Sequence, residues 1–112
     1  MSNIIETQDY DGNTVICTRA QWYSHIVKGH SIMGANKDAV IDTVHNPDEV
    51  FKDSNYEERK LFFKSSTKAT YGTKFDTKVV VEYADVSKGE IVTAYPIKTK
   101  GSVGDALYPE DD

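Results

Sequence analysis

The sequence predicts one domain of the α+β class, in which an N-terminal hairpin and two helices pack on a four-stranded antiparallel sheet. Three observations lead to this prediction. The chain has 112 residues, a length that fits a single domain. Apolar residues recur at helical spacing in its first half, and short extended runs follow one another in its second half. Residues 1–100 are expected to form the domain, and residues 101–112 a frayed acidic C-terminal tail.

The hairpin is predicted from Asp11-Gly12, which lies between the extended runs 4–7 and 14–17. This dipeptide readily supplies the positive φ that a tight hairpin turn needs. Thr18 then follows as a residue whose hydroxyl can cap a helix.

Two helices are predicted from spacing and end signals. The first covers residues 19–28, where Gly29 is expected to end it in a left-handed conformation. The second is expected to begin after a capping Asn36 and to run over residues 37–44, and Asn46-Pro47 closes it.

Four runs rich in β-branched and aromatic residues predict the sheet, namely residues 49–52, 60–65, 78–83 and 90–96. Ser87-Lys88-Gly89 is interpreted as the tight turn between the last two strands. Residues 66–77 are polar and lack an apolar pattern, so they are expected to form a mobile loop.

Composition and cysteine count limit the cellular compartment and the kinds of metal site that are expected. The first ten residues carry Glu6 and Asp9 where a signal peptide would carry positive charge and an apolar stretch. The single Cys17 excludes an intramolecular disulfide and a zinc site built from several thiolates. A cytoplasmic protein without a membrane partner and without a cofactor is therefore expected.

The formal net charge of -5 argues against a surface that binds polyanions everywhere, but the middle of the chain is basic. A single acid, Asp76, lies in the same stretch as six basic residues, namely Arg59, Lys60, Lys64, Lys68, Lys74 and Lys78. This stretch indicates either a local anion-binding surface or a solvated polar face.

Histidine is the side chain whose unperturbed pKa best suits proton transfer at neutral pH, and the chain has three. His25 and His30 would point about 140° apart on a continuous helix, but an end at Gly29 would free His30 to approach the same cleft. His45 follows the second helix and is interpreted as a helix-end residue. The spacing of the histidines matches no zinc template.

Thr93 and Tyr95 are two apart on the last predicted strand, so their hydroxyl and phenol groups share one face. Lys64 can present an ammonium group from a neighbouring strand. With a histidine, these groups suffice for metal-independent RNA cleavage, which moves two protons and stabilises charge on phosphorus. The alternative is that Thr and Tyr reflect only strand propensity.

Five segments resemble the phage-type members of the barnase, EndoU, colicin D and RelE-like nuclease superfamily: residues 25–30 (HIVKGH), 39–50 (AVIDTVHNPDEV), 61–64 (LFFK), 79–81 (VVV) and 91–95 (IVTAY). The resemblance implies an endoribonuclease of a toxin or phage system, with two helices ahead of a four-stranded antiparallel sheet. The active-site residues that it implies are His25, His30, Lys64, Thr93 and Tyr95. A site of such residues without a carboxylate is expected to cleave RNA through the 2'-hydroxyl and to leave a cyclic phosphate.

RNA is therefore the expected partner, and a cognate inhibitor or immunity protein is a further candidate. The basic stretch supplies the expected RNA-binding residues, Arg59, Lys60, Lys68 and Lys74. The alternative function is a noncatalytic interaction or immunity-type module of the same fold, which the net charge of -5 favours. An enzyme acting on small molecules or using a metal would need a Gly-rich phosphate loop or spaced ligands, and the sequence has neither.

Overall fold

The computed structural model describes residues 2–65 and 68–110. The predicted N-terminal hairpin forms from β1 (Asn3–Gln8) and β2 (Thr14–Thr18). Gly12 has a φ of 85°, as the Asp11-Gly12 signal requires. The buried Asp9 carboxylate accepts hydrogen bonds from the backbone amides of Asp11 and Asn13, at 2.8 and 2.9 Å, and these bonds fix the turn.

The first helix, α1, consists of an α-helical turn, Arg19–Gln21, that continues as a π-helical segment, Trp22–Val27. Thr18 caps it as predicted, because its hydroxyl accepts from the Gln21 amide at 3.1 Å. Gly29 does not adopt a left-handed conformation, so that prediction is wrong. The chain instead leaves the helix at His30, whose amide still donates to the Ile26 carbonyl at 2.9 Å.

A 3-10 segment, Ser31–Ala35, leads to the second helix, α2 (Lys37–His45). The predicted Asn36 cap is absent in this part of the described chain, because the buried Asn36 side chain bonds elsewhere. Its amide donates to the Ile32 carbonyl and to the Thr70 hydroxyl, both at 2.8 Å, and it accepts from the Thr70 amide at 2.7 Å. Asn36 thereby ties the connection after the fourth strand to the start of α2.

The predicted fold class is wrong. The described residues form a mixed seven-stranded sheet with short helices, where the sequence predicts a four-stranded antiparallel sheet covered by two helices. The four expected runs are present, but three further strands join them. The remaining strands are β3 (Glu49–Lys52), β4 (Arg59–Ser65), β5 (Asp76–Asp85), β6 (Lys88–Ile97) and β7 (Ala106–Tyr108).

The strand order is β1-β2-β6-β5-β4-β3-β7, and every pair is antiparallel except β2 with β6. A four-stranded sheet would leave the backbone groups of both outer strands unpaired. Here β2 pairs with β6 at one edge, and β7 pairs with β3 at the other. The hairpin and the C-terminal segment thereby pair the free sides of β6 and β3, and β1 and β7 become the outer strands of the sheet.

Two further expectations change with the added strands. Residues 106–108 form β7, so the tail from residue 101 is not frayed as a whole; residues 111 and 112 lie outside the described residues. The predicted loop 66–77 ends early, because Asp76 and Thr77 begin β5, and residues 66 and 67 also lie outside the described residues.

The main core lies between the helices and one face of the sheet. The buried Trp22 and Ile26 of α1 and Val40 and Val44 of α2 pack there, against strand residues such as Phe62. A smaller apolar cluster on the opposite face contains Leu61, Phe63 and Val80, and Val103 packs against it from the connection between β6 and β7. Each face of the central strands therefore packs against a different apolar cluster, and the predicted active-site residues of β4 and β6 lie on different faces.

Candidate active site

Four side chains form a row across the face of the sheet opposite the helices. Phe63 of β4 pairs with Lys78 of β5, and Lys78 pairs with Tyr95 of β6. The Lys78 ammonium lies 5.8 Å from the centre of the Phe63 ring and 5.4 Å from that of Tyr95. His30 completes the row, because its ring stacks on Tyr95 with centres 4.9 Å apart and planes inclined by 21°. We call Phe63, Lys78, Tyr95 and His30 the cross-strand row.

The edge of β6 explains how His30 reaches this face. Among the described residues, β2 pairs with β6 only through Thr14–Ile16 and Lys88–Glu90. Beyond that point α1 borders the strand, and the Gln21 side-chain amide donates to the Val92 carbonyl. The chain leaving α1 therefore passes the edge of β6, where the exposed His30 meets Tyr95.

A β-bulge sets the direction of the side chains on β6. Val80 of β5 pairs with Thr93, whereas Val81 pairs with Ile91, so Val92 is an extra residue. Beyond the bulge, Thr93 and Tyr95 share the face that carries Lys78. The prediction that Thr93 and Tyr95 lie on one face is confirmed. Both are partly exposed, as side chains that meet a ligand must be.

The structure does not bring Lys64 to this row. Lys64 pairs with Thr77, the residue before Lys78, and consecutive strand residues point to opposite faces. Its ammonium instead lies 3.4 Å from Asp42 Oδ2 of α2 and donates to the Asn46 carbonyl at 2.6 Å. Lys64 is thus engaged by the helix on the core side of the sheet.

Lys78 occupies the place that the sequence assigned to Lys64. No carboxylate lies within ion-pair distance of Lys78 in the described parts of the chain, 2–65 and 68–110. Its ammonium rests between two aromatic rings, which attract a cation through their electron-rich faces. In the sequence Lys78 is one member of the basic stretch, and no local pattern there assigns it to the site.

The predicted RNA-binding residues are dispersed. Arg59 pairs with Glu82 at 3.0 Å, and Lys68 lies 3.6 Å from Asp42. Lys60 lies over the rings of Tyr83 and Tyr10, while Lys74 is exposed in the connection before β5. Arg59 and Lys64 are at opposite ends of β4, about 16 Å apart in an extended strand. The basic stretch is therefore not one continuous surface.

In the described parts of the chain, neither of the other two histidines contacts the row. His25 is exposed on the π-helical part of α1, and in the described chain no ring contact, hydrogen bond or ion pair joins it to His30 or Tyr95. His45 ends α2, as the sequence indicated, and its Nδ1 lies 3.1 Å from the Gln8 carbonyl of β1.

No protein-family model, curated protein or solved structure matches the chain. Among the described residues, no helix combines the length and the apolar character that a transmembrane span needs. Nor do the His, Cys, Asp and Glu side chains of residues 2–65 and 68–110 gather in threes as metal ligands would. The chemistry of the four side chains in the cross-strand row is therefore the basis for a functional proposal.

Proposed function

We propose that the chain is a metal-independent endoribonuclease whose active site is the exposed end of the cross-strand row. The observation that carries the proposal is the stack of His30 on Tyr95, with Lys78 on the neighbouring strand. It places a proton-transfer group, a phenol and a cation side by side. Thr93 adds a hydroxyl on the same face.

The groups match the needs of cleavage through the 2'-hydroxyl. His30 takes the proton from the 2'-hydroxyl as its oxygen attacks phosphorus. The Tyr95 phenol supplies a proton to the departing 5'-oxygen. Lys78 and the Thr93 hydroxyl stabilise the charge on the phosphoryl oxygens. The products are a 2',3'-cyclic phosphate and a 5'-hydroxyl, formed from RNA in the cytoplasmic setting that the composition suggests.

The test is digestion of a defined single-stranded RNA in EDTA, with the ends of the fragments mapped. We expect cyclic-phosphate ends, and no cleavage of DNA of the same sequence, because DNA lacks the attacking hydroxyl. His30→Ala is expected to lower the rate about 100-fold, the usual size of a general acid-base contribution.

His45→Ala is the matched control, because it removes a histidine that lies at the end of α2 and outside the row. It is expected to leave cleavage unchanged. Equal activity of the folded His30→Ala and His45→Ala variants, or cleavage of DNA, would refute the proposed mechanism.

A further inference from the structure

A cleft of about 480 Å³ lies at the other end of the sheet from His30, where the β1–β2 turn, the β3–β4 connection, the β5–β6 turn and the C-terminal segment meet. Tyr83 in its wall is five residues along β5 from Lys78, about 16 Å in an extended strand. The cleft is therefore separate from the cross-strand row, and its binding properties do not depend on the proposed nuclease activity.

The aromatic walls of the cleft already contact one cation of the chain itself, the ammonium of Lys60. Tyr10 and Tyr83 line the cleft, and the Lys60 ammonium lies 4.6 Å from the centre of the Tyr83 ring and 5.9 Å from that of Tyr10. The Tyr83 hydroxyl donates to the buried Asp9 carboxylate at 2.6 Å, which fixes the ring. Tyr83 is buried under Lys60, so the partly exposed ring of Tyr10 offers the more accessible face to an ammonium or guanidinium group.

Carboxylates outnumber cations around these rings. The acidic lining residues are Asp11, Glu57, Glu58, Asp85 and Glu110, and the basic ones are Lys52, Arg59 and Lys60. The charge of Arg59 is already balanced by Glu82. Burial, together with the negative charges of Asp11, Asp9 and Glu110, raises the pKa of Tyr10. Hydrogen bonds from Ser87 lower the pKa of Asp85, so this carboxylate stays ionised.

The mouth of the cleft also carries apolar surface. Val86, at the tip of the β5–β6 turn, is 87% exposed and lines the cleft. Tyr56 does not line the cleft itself, but it is exposed and lies under the guanidinium of the lining residue Arg59, at 4.2 Å. An aliphatic and an aromatic side chain held in water at the edge of a cavity are typical of a surface that contacts a polypeptide.

We propose that this cleft binds an arginine-rich segment of a partner protein. A guanidinium stacks on tyrosine faces and pairs with carboxylates, and its aliphatic stem packs on apolar side chains. The cleft offers all three kinds of contact within one concave surface. A small cation would use the rings and carboxylates but would leave the apolar lining residues Val86 and Leu107 without a contact.

The first experiment measures binding of fluorescein-labelled nona-arginine to the intact protein by fluorescence anisotropy. The triple variant Glu57→Gln, Glu58→Gln, Glu110→Gln is expected to bind about tenfold more weakly, because three carboxylates of the cleft are lost. The control is Glu6→Gln, Asp38→Asn, Glu90→Gln, which changes the net charge equally at exposed sites that do not line this cleft. It is expected to bind within twofold of the parent.

The second experiment uses Lys60→Met, which keeps the length of the side chain and removes its charge. A site for arginine gains from this change, because Tyr83 loses its resident cation and the repulsion falls. Nona-arginine is expected to bind severalfold more tightly. If the cleft bound an anion instead, Lys60→Met would remove the cation at its centre. Inorganic pyrophosphate is therefore the opposite probe, and tighter binding of pyrophosphate by the parent than by Lys60→Met would count against the proposal.

Thermal unfolding shows whether each variant is folded, and if one triple variant is not, the double variants Glu57→Gln, Glu58→Gln and Glu6→Gln, Glu90→Gln replace the cleft and control triples. Equal weakening by the cleft and control variants would overturn the proposal, because binding would then follow net charge alone. Weaker binding of nona-arginine to Lys60→Met would overturn it as well. RNA cleavage is measured on the carboxylate variants and is expected to be unchanged, which separates this proposal from the nuclease.

Discussion

The imidazole of His30 stacks on the phenol ring of Tyr95 with the two ring centres 4.9 Å apart. His30 follows a helix and Tyr95 belongs to a central strand, so the stack joins two elements that are far apart in sequence. It holds an exposed imidazole at a fixed position on the sheet face. In the proposed reaction Tyr95 thus has two separable tasks, since its ring positions His30 and its hydroxyl gives a proton.

Two substitutions separate these tasks. Tyr95→Phe keeps the stack and removes the hydroxyl, and we expect it to lower the cleavage rate about 10- to 100-fold. Tyr95→Leu removes the stack as well and is expected to lower the rate further, because the Tyr95 ring no longer positions His30. Single-turnover cleavage rates of the two variants measure both effects. Full activity of Tyr95→Phe would contradict the role of the phenol.

The two lysines on opposite faces of the sheet give the second prediction. Lys78→Met is expected to lower cleavage about tenfold or more and to flatten its salt dependence, because the cation beside Tyr95 is lost. Lys64→Met is expected to leave cleavage unchanged and to lower stability slightly, because Asp42 loses one of the two ion pairs that it forms within the described residues, and the remaining partner, Lys68, is exposed. Cleavage rates and urea unfolding of both variants test this. The reverse pattern of rates would restore Lys64 to the site.

The position of Lys78 in the site depends on the register of one hairpin. The sequence predicts the β5–β6 turn at Ser87-Lys88-Gly89, which pairs Tyr95 with a residue near Val81. In the structure Asp85 pairs with Lys88, and Asp85 accepts from the Ser87 amide and hydroxyl to fix a shorter turn. Tyr95 then pairs with Lys78. The register of this hairpin, which the predicted turn does not give correctly, therefore determines that Lys78 faces Tyr95.

Local signals predict the elements better than their assembly. The turn at Gly12 and the cap at Thr18 depend on neighbouring residues, and both were predictable. The pairing of β2 with β6 depends on residues more than 70 positions apart, and no local pattern specifies it. The three-residue β7 is too short to show alternation in an acidic, polar segment. Neither the β2–β6 pairing nor β7 could therefore be predicted from the sequence, although both determine the shape of the sheet.

Two glycines provide a stability test of the packing. A Cβ on Gly89 would lie 2.6 Å from Val81 Cγ1 and 3.0 Å from the Tyr83 ring, both buried. We expect Gly89→Ala to cost about 1 to 3 kcal/mol, as overpacking does. Gly29 has open space around its Cα and no positive φ, so Gly29→Ala is expected to be neutral or to stabilise by about 0.5 kcal/mol. Urea unfolding measures both, and a destabilising Gly29→Ala would contradict the helical conformation found there.

The last prediction concerns Cys17, which is 1% exposed within the main core. Burial, with a smaller contribution from the charge of Glu90, raises the pKa of this thiol from 9.0 to about 11. Between these values the folded protein keeps the thiol proton and the unfolded chain loses it. The folded state then binds more protons, so the stability that the neutral thiol contributes is complete below pH 9 and falls as the pH rises towards 11.

Cys17→Ala removes this titration, although it also leaves a small cavity that destabilises the protein equally at every pH. The parent protein is therefore expected to be more stable than Cys17→Ala at pH 8, and its advantage is expected to shrink by about 1 kcal/mol by pH 10. The tyrosines with raised pKa values, Tyr10 and Tyr83, titrate in both proteins and cancel in the comparison. Urea unfolding at pH 8, 9 and 10 gives the difference directly. Parallel pH profiles for the two proteins would show that Cys17 titrates alike in the folded and unfolded states, against its burial in the core.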